Sequence, residues 1–575
     1  MLRNLIQRRL QSVLQKRPVG TGGAWRKRAA ILCGAIIATL VLGHLGVRFL
    51  LWPQIEKSKP AIEKLMSARL DANITMDDLQ VSWTGIRPRF EISGLRFNAP
   101  DKKAPPLLEI QKISGGLSWN SLYHLAPYFE DLHFQGAQIY AQRNTQGALS
   151  IAGIPINGND DDFSAGNWLL DQSEIEIGDA QIFWQDHQNK KLNTSVNIFQ
   201  FHLTNGIRLH KADLSMSAPW SNSPIQLQAD FVHRLRGQPG NWRDWVGHFS
   251  WDFIDLNLNQ LATDFTLPLN TLKGTISSKG ELNLDEGVAD GAQFNLKANQ
   301  FRVQLNKNEE PIEFGHLEAD LSQANTRGLL SISSKNFAWR DINSPSNAPL
   351  TTLSPMTFRW RPPGPDGEIK EFGFSSPKIH VADAVSFALN LPLSKKVHQW
   401  VKASQAEGEL QDLDLNWSEK KSALAVLPIP GSWINPDKLD FMIKAKLIDL
   451  SFAAINKSMP AVSHLSGALY SDEKSGKFTL DSKNIEVEIN DFLVDPKIKL
   501  DTANGVLTWA KQRGQWSIEA KQLALKNPDI TTTLNLSYLL GAPKQADQMV
   551  LDMNFVKANI AVSYTHLTLP TTSRV

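Results

Sequence analysis

From residue 74 onward the chain alternates apolar and polar side chains with a period of two, and it does so almost without pause. Runs such as Ile175/Ile177, Ile182/Trp184, Leu214/Met216/Ala218 and Ile225/Leu227/Ala229/Phe231 are followed by Phe249/Trp251/Phe253 and Ile254/Leu256/Leu258. The pattern persists at Ile485/Val487/Ile489 and Leu534/Leu536/Tyr538. A period of two sends successive side chains to opposite faces of a strand. Gly, Asn, Asp or Pro bounds each run, as hairpins require. Helical spacing is scarce. It occurs at 54–70 (Ile55, Ile62, Leu65, Met66, Leu70), at 121–129 behind Asn120 as an N-cap, and at 394–403 with Val397, Trp400 and Val401 on one side. Residues 361–367, RPPGPDG, read as a turn or short linker. The expected fold is mainly β: one long, twisted antiparallel sheet. If ~30 strands pair side by side at ~4.8 Å, it extends roughly 140 Å across its strands.

The stretch 74–97, ITMDDLQVSWTGIRPRFEISGLRF, shows the alternation at its clearest. Leu79, Val81 and Trp83 point one way, and after the turn at Gly85–Pro88 so do Phe90 and Ile92. Leu95 and Phe97 resume beyond Gly94 on the opposite parity, which demands a bulge or tight turn. Phe294 and Leu296, then Phe301, Val303 and Leu305, form a second such pair of runs. Three segments, 272–284, 465–480 and 503–518, repeat the outline strand, polar turn with Gly, strand. An apolar sheet face needs a cover. Either two sheets cover each other, or one sheet curls and leaves its concave face as an open hydrophobic groove, since the helical segments are too few to cover it. An open strip of that length marks an interaction surface.

The N-terminus says where such a surface would work. Eight of the 60 Lys and Arg fall within residues 1–28, which hold no acid; the remaining 52 face 58 Asp and Glu. Behind this basic tip, residues 29–47 carry no formal charge, and after Arg48 the apolar run continues through Phe49-Leu50-Leu51 to Trp52. At ~1.5 Å per residue, twenty residues cross a ~30 Å hydrocarbon core. Basic residues before the span place the N-terminus in the cytoplasm. The length of the leader and the lack of a small-x-small site argue for an uncleaved anchor. The single cysteine, Cys33, lies inside it, so the exported part has no disulfide or thiolate chemistry. In a protein tethered beside a membrane, acyl chains are the natural filling of an apolar strip.

Catalytic patterns are missing. There is no HExxH, Walker loop, GxSxG or GxGxxG. His124 and His133, and the Asp186-His187 pair, lack zinc-ligand spacing. Asp160-Asp161-Asp162 lacks the alternation of a calcium loop. The reading is a non-enzyme without cofactor or metal, and the span after the basic tip argues against nucleic acid.

The order of elements resembles the AsmA-like superfamily of Gram-negative envelope proteins, in its YhdP branch. The residues that carry the resemblance are the anchor, helix and 74–97 hairpin, then 107–154, 167–191 with a Trp-x-Asp turn at Trp184–Asp186, 403–418 and the 460–509 hairpins. The resemblance implies a periplasm-spanning groove that conducts phospholipid between inner and outer membranes. Its expected partners are phospholipid acyl chains, the inner membrane through the N-terminal helix, and the outer membrane or its proteins through a C-terminal part beyond this chain. The expected groove lining is Leu79, Val81, Trp83, Phe90, Ile92, Leu95, Phe97, Phe294, Leu296, Phe301, Val303 and Leu305. The expected organisation is a basic cytoplasmic segment (1–28), a transmembrane helix (29–51), a membrane-proximal helix with an N-terminal β-module (52–160) and a repetitive β-groove (161–561). Residues 562–575 break the pattern and read as a non-native tail. An assembly factor for outer-membrane proteins, as in the related TamB branch, and a polysaccharide-binding scaffold are the alternatives.

Overall fold

A computed structural model describes residues 22–559 except 71–72, 99–105, 120, 122–127, 148, 153, 157–162, 188–192, 265–268, 305–306, 308–310, 327, 362–370, 392–394, 420–438, 455–459, 489–496, 513–514 and 541–547. The chain forms two units, residues 1–158 with 171–182, and residues 159–170 with 183–575.

The first unit begins with α1 (Gly22–Gly46), which passes through a π-helical turn (Val47–Leu51) into α2 (Trp52–Lys57) and, after Ser58, α3 (Lys59–Leu70). The helix from Lys27 to Lys57 is long and apolar enough to cross a membrane. The strands are β1 (Asn73–Thr75), β2 (Asp78–Thr84), β3 (Arg87–Asn98), β4 (Leu108–Leu117), β5 (Phe129–Arg143), β6 (Leu149–Ile151) and β7 (Ile154–Ile156). After α4 (Ser164–Asp171), which lies in the second unit but for its last residue, comes β8 (Glu174–Asp186). The order β1–β3–β2 with β3–β4–β5 is antiparallel throughout. One pairing departs from the expected pattern. β5 lies beside β8, with Ser173 N–H donating to Phe129 O and His133 Nδ1 meeting Glu176 four residues along, so these two strands run parallel.

The second unit continues with β9 (Asn193–Asn205), β10 (Leu209–Ser217), β11 (Ile225–Val232) and β12 (Val246–Asn257). The short α5 (Leu258–Asp264) leads to β13 (Thr271–Asp285), β14 (Val288–Gln304), β15 (Ile312–Thr326), β16 (Leu329–Arg340), β17 (Thr351–Leu353), β18 (Met356–Arg361) and β19 (Glu371–His380). Two helices, α6 (Val381–Ala388) and α7 (Lys395–Ser404), precede β20 (Glu407–Glu419), β21 (Leu439–Phe452), β22 (Ala461–Asp472) and β23 (Ser475–Glu488). The unit ends with β24 (Lys497–Gln512), β25 (Gln515–Lys526), β26 (Ile530–Leu539) and β27 (Gln548–Ala558). From β9 to β27 each strand pairs antiparallel with the next, β17 sharing β16 with β18. At ~4.8 Å per strand this ladder alone runs roughly 80 Å. The mainly-β, open-sheet expectation therefore holds.

Four local readings change. Leu258 starts α5 instead of extending a strand, and Ile254, grouped with Leu256 by sequence, is 52% exposed where Leu256 is buried. The reason is Asp255, whose φ of 50° reverses the parity between them. Residues 167–171, the start of the segment 167–191 that carries the resemblance to a run of strands, form the end of α4. At 121–129, Tyr128 is not helical and Phe129 opens β5; most of that reading, like 362–367, lies outside the described residues. The helix α6 carried no clear sequence signal.

Candidate apolar lining

In a ladder, directly paired residues share a face. One row in the second unit passes Phe201, Leu214, Leu227, Trp251, Gly280, Phe294, Leu321, Ser334 and Met356; beside it Ser376, whose Oγ donates to Pro355 O (2.8 Å), pairs with Leu413. On the far side of Ala445 it resumes as Leu469, Phe478, Leu507, Ala520, Leu536 and Leu551. A neighbouring row runs through Leu282, Ala292, Gln323, Ile332, Phe358, Phe374, Leu415 and Ile443. Neither row contains a charge. The opposite face is the reverse: Lys211–Asp230 (3.2 Å), Lys279–Asp252 (2.9 Å), Arg302–Glu313 (2.8 Å), Arg359–Asp414 (2.6 Å) and Lys499–Glu486 (3.2 Å) lie along it. The lysine beside Glu486 and the one beside Glu409 hold those carboxyls below the usual carboxylate range.

The apolar face is not closed. Trp251, Phe294, Leu296, Phe358 and Trp360 are half-buried, and Ile332 and Phe441 are 46% and 38% exposed. Among the described residues no second sheet covers it. Two small helices cover one margin: α5 packs on β12 and β13, and α6 on β17, β19 and β20. Phe387 of α6 stacks on Phe314 (5.7 Å) and meets Phe337 (5.2 Å) and Trp339 (5.8 Å) edge-on. Phe294, Ile332 and Phe358, nearer the other margin, remain uncovered by these contacts.

Two devices shape this face. The first is a left-handed residue within many strands: Asp255, Gln300, Asp412, Asp449, His464, Asn484 and Gln522 all have φ between 48° and 63°. Each reverses the pleat, so apolar residues three apart, such as Ala298/Phe301, Leu447/Leu450 and Ala520/Leu523, fall on one face. Neighbouring strands bond the displaced amides: Ser277 Oγ accepts from Asp255 N–H (2.9 Å), Ser466 Oγ from Asp449 N–H (2.9 Å) and Asn535 Oδ1 from Gln522 N–H (2.8 Å). Such kinks raise twist and bend a sheet. The second device is glycine under a ring. A Cβ at Gly280 would lie 2.4 Å from Phe294 Cβ and 2.7 Å from Trp251 Cζ2, so its absence lets both rings lie over the strand.

The residues expected to line a groove separate as follows. In the first unit Leu79 pairs with Ile92, Val81 with Phe90, and Trp83 with Pro88. Beyond Gly94 (φ 62°), Leu95 pairs with Ile110 and Phe97 with both Ile74 and Leu108. Leu79, Leu95 and Phe97 are buried, whereas Val81, Trp83, Phe90 and Ile92 are half-buried. In the second unit Phe294, Leu296, Phe301 and Val303 share the apolar face, because Gln300 (φ 48°) restores the parity between the two pairs. Leu305 lies outside the described residues. Sequence reasoning missed the long rows themselves, which need the register, and the buried pair His210–His233.

His210, only 1% exposed, sits at the edge of this face with Nε2 3.0 Å from His233 Nδ1 and Nδ1 2.8 Å from Asn205 Oδ1. Burial, and then the second imidazole, pull its pKa down to about 4. Phe231 packs on it and stacks on Trp245 at 4.1 Å. His133 pairs with Glu176 (2.9 Å), and among the described residues no group of three or more His, Cys, Asp or Glu is arranged to hold a metal. His124 and Asp160–Asp162 lie outside the described residues.

An N-terminal apolar helix and an open β-ladder with one apolar and one ion-paired face fit the AsmA-like group of envelope proteins. Within it the chain belongs to the YhdP protein family, whose profile matches residues 24–566. No curated protein and no solved structure matches the chain.

Proposed function

We propose that the protein is a non-catalytic conduit that moves phospholipids between inner and outer membranes along its apolar face. The observation that carries this reading is the charge-free row through Trp251, Phe294, Leu321 and Met356, left partly exposed over so many strands. Acyl chains gain ~0.8 kcal/mol per CH₂ removed from water, so two tails on such a floor recover most of the cost of leaving a bilayer. Headgroups stay wet at the open side. A uniform floor has no strong stopping point, and net direction comes from a source or sink elsewhere. The helix Lys27–Lys57 anchors the chain in the inner membrane, N-terminus in the cytoplasm and bulk in the periplasm. The outer membrane, or proteins in it, takes the far end.

Photoreactive side chains at Phe294, Leu296 and Val303 test the proposal against the same groups at Asn295 and Arg302 on the ion-paired face. The expected result is phospholipid cross-linked at the first three positions only. Equal or absent capture at both sets refutes a conduit. Protein cross-links at Phe294 in place of lipid favour the assembly-factor reading.

A further inference from the structure

The first hairpin folds back along the anchor helix. Lys59 Nζ donates to Asp77 O (2.8 Å), and Val81 N–H donates to Glu56 Oε1 (2.9 Å). Further down, Arg48 Nη1 reaches Gly85 O (3.3 Å) with its guanidinium 5.7 Å over the Trp83 ring. His44 meets Trp83 edge-on at 5.0 Å and lies 6.0 Å from Trp119. As β2 advances from Asp77 to Gly85, its helix partners recede from Lys59 to Arg48 and His44. The strand therefore descends toward the membrane side of the helix.

Depth follows from helix geometry. Counted from Ala29, the first residue after Arg26-Lys27-Arg28, a ~30 Å core ends near Phe49 at ~1.5 Å per residue. Arg48 then stands at the outer boundary of the hydrocarbon and His44 about 7 Å inside it. The residues touching them, Trp83, Trp119 and the Gly85 turn, share that depth. Ile86 at the turn is 65% exposed, an apolar side chain with nothing on it. Trp at the boundary, an Arg whose charge reaches a backbone carbonyl, and an exposed Ile below form the composition of a membrane interface.

We infer that the β2–β3 turn and Trp119 are embedded in the outer half of the bilayer, so the apolar face of Val81, Trp83 and Phe90 opens directly into a lipid leaflet. The partner is the acyl region of a phospholipid leaflet, and tails reach the sheet sideways without crossing water. This rests on the anchor reading proposed above. It assigns Trp83 and Ile86 a membrane contact that a lining role alone does not require.

The test uses the full chain with Cys33→Ser and one cysteine at Ile86, at Asp78 (the far end of β2) or at Ile36 within the helix. Each is labelled with an environment-sensitive fluorophore and reconstituted in vesicles of phosphatidylethanolamine and phosphatidylglycerol. The expected result is that the Ile86 label follows the Ile36 label: quenched by doxyl-labelled phospholipid, and about tenfold less accessible than the Asp78 label to a water-soluble quencher. An Ile86 label as accessible as that at Asp78, with Ile36 protected, overturns the inference and leaves the anchor intact. An exposed Ile36 label overturns the anchor reading and the inference with it. Ile86 is a turn residue with an open side chain, so unchanged circular dichroism checks that the fold survives labelling.

Discussion

A single carboxylate on the apolar face should block passage without unfolding the protein. Phe294 is the position of choice: it faces Gly280 and Leu321, its ring is 5.9 Å from Trp251, and it is half-buried. Roughly 100 Å² of its surface is out of water, so Phe294→Asp forfeits about 2.5 kcal/mol of apolar burial at ~25 cal/mol per Å². The ladder loses this within one strand. A hydrocarbon tail passing an ionised Asp meets a cost of about 3 kcal/mol, the range for a carboxylate at the centre of a membrane helix, and slows roughly 100-fold. Asn295→Asp places the same charge one residue away on the outer face, where Asn295 already accepts from Lys279 N–H, and should do nothing. Photoreactive groups at Phe249 and Leu536, on either side of the block, read the result. With lipid loaded from the anchor side, Phe294→Asp should abolish capture at Leu536 and spare it at Phe249, while Asn295→Asp leaves both. Undiminished capture at Leu536 in a folded Phe294→Asp protein would refute the argument.

The kinks, the margin helix and the buried histidine pair each give a separate outcome. Gln300→Gly should stabilise β14 by about 0.5–1 kcal/mol and Gln300→Val should cost about 1–2, because a left-handed φ of 48° penalises every Cβ and β-branched residues most; urea midpoints at constant slope would show the order, and the reverse order would contradict the kink. Phe387→Ala removes a half-buried ring from three aromatic partners, a loss of about 2 kcal/mol, and should speed amide exchange in α6 roughly 30-fold without changing β14 near Phe294. For His210, folding lowers the pKa from 6.5 to about 4, so the unfolded state binds the extra proton between those values. Stability around β10 and β11 is then full above pH 6.5 and falls by about 3 kcal/mol as pH drops to 4. Trp245 fluorescence reports it through Phe231, and His210→Asn should flatten the acid limb.

Much of the fold was legible because the pleat writes itself into the sequence. Phe90/Ile92 and Leu95/Phe97 on opposite parities announced a bulge, and Gly94 with φ 62° supplies it. The same signature, two apolar runs out of step across one polar residue, stood at Phe294/Leu296 and Phe301/Val303 with Gln300 between them. At Ile254 it was misread, since Ile254 and Leu256 keep parity in sequence and only the φ of Asp255 separates them. Register was not legible: that Phe294 faces Gly280 and Leu321 depends on hydrogen bonds between runs, and pairing is fixed by turn geometry and bulges that alternation alone does not specify. The α6 helix was hidden because Val381, Val385 and Phe387 fit a strand as well as a helix; what makes it a helix is the aromatic patch of Phe314, Phe337 and Trp339 that receives it.

An apolar face left half open would ordinarily invite collapse or aggregation, and the local chemistry explains why it can persist here. Rings laid over Gly280 touch the strand beneath, so each loses area to water without needing a cover. The kinks recur in strand after strand, and the amides of Asp255, Asp449 and Gln522 are bonded by Ser277, Ser466 and Asn535 of neighbouring strands, so each kink is held by hydrogen bonds within the ladder. The outer face carries paired charges, which keeps it soluble and leaves only one side apolar. Cohesion then runs along the ladder, each strand depending on its two neighbours, as in a repeat protein whose stability is a sum of local terms. That is why a carboxylate at Phe294 should act on what passes over the sheet and leave the sheet itself standing: the strands that hold Phe294 in place, β13 and β15, bond to β14 through their backbones.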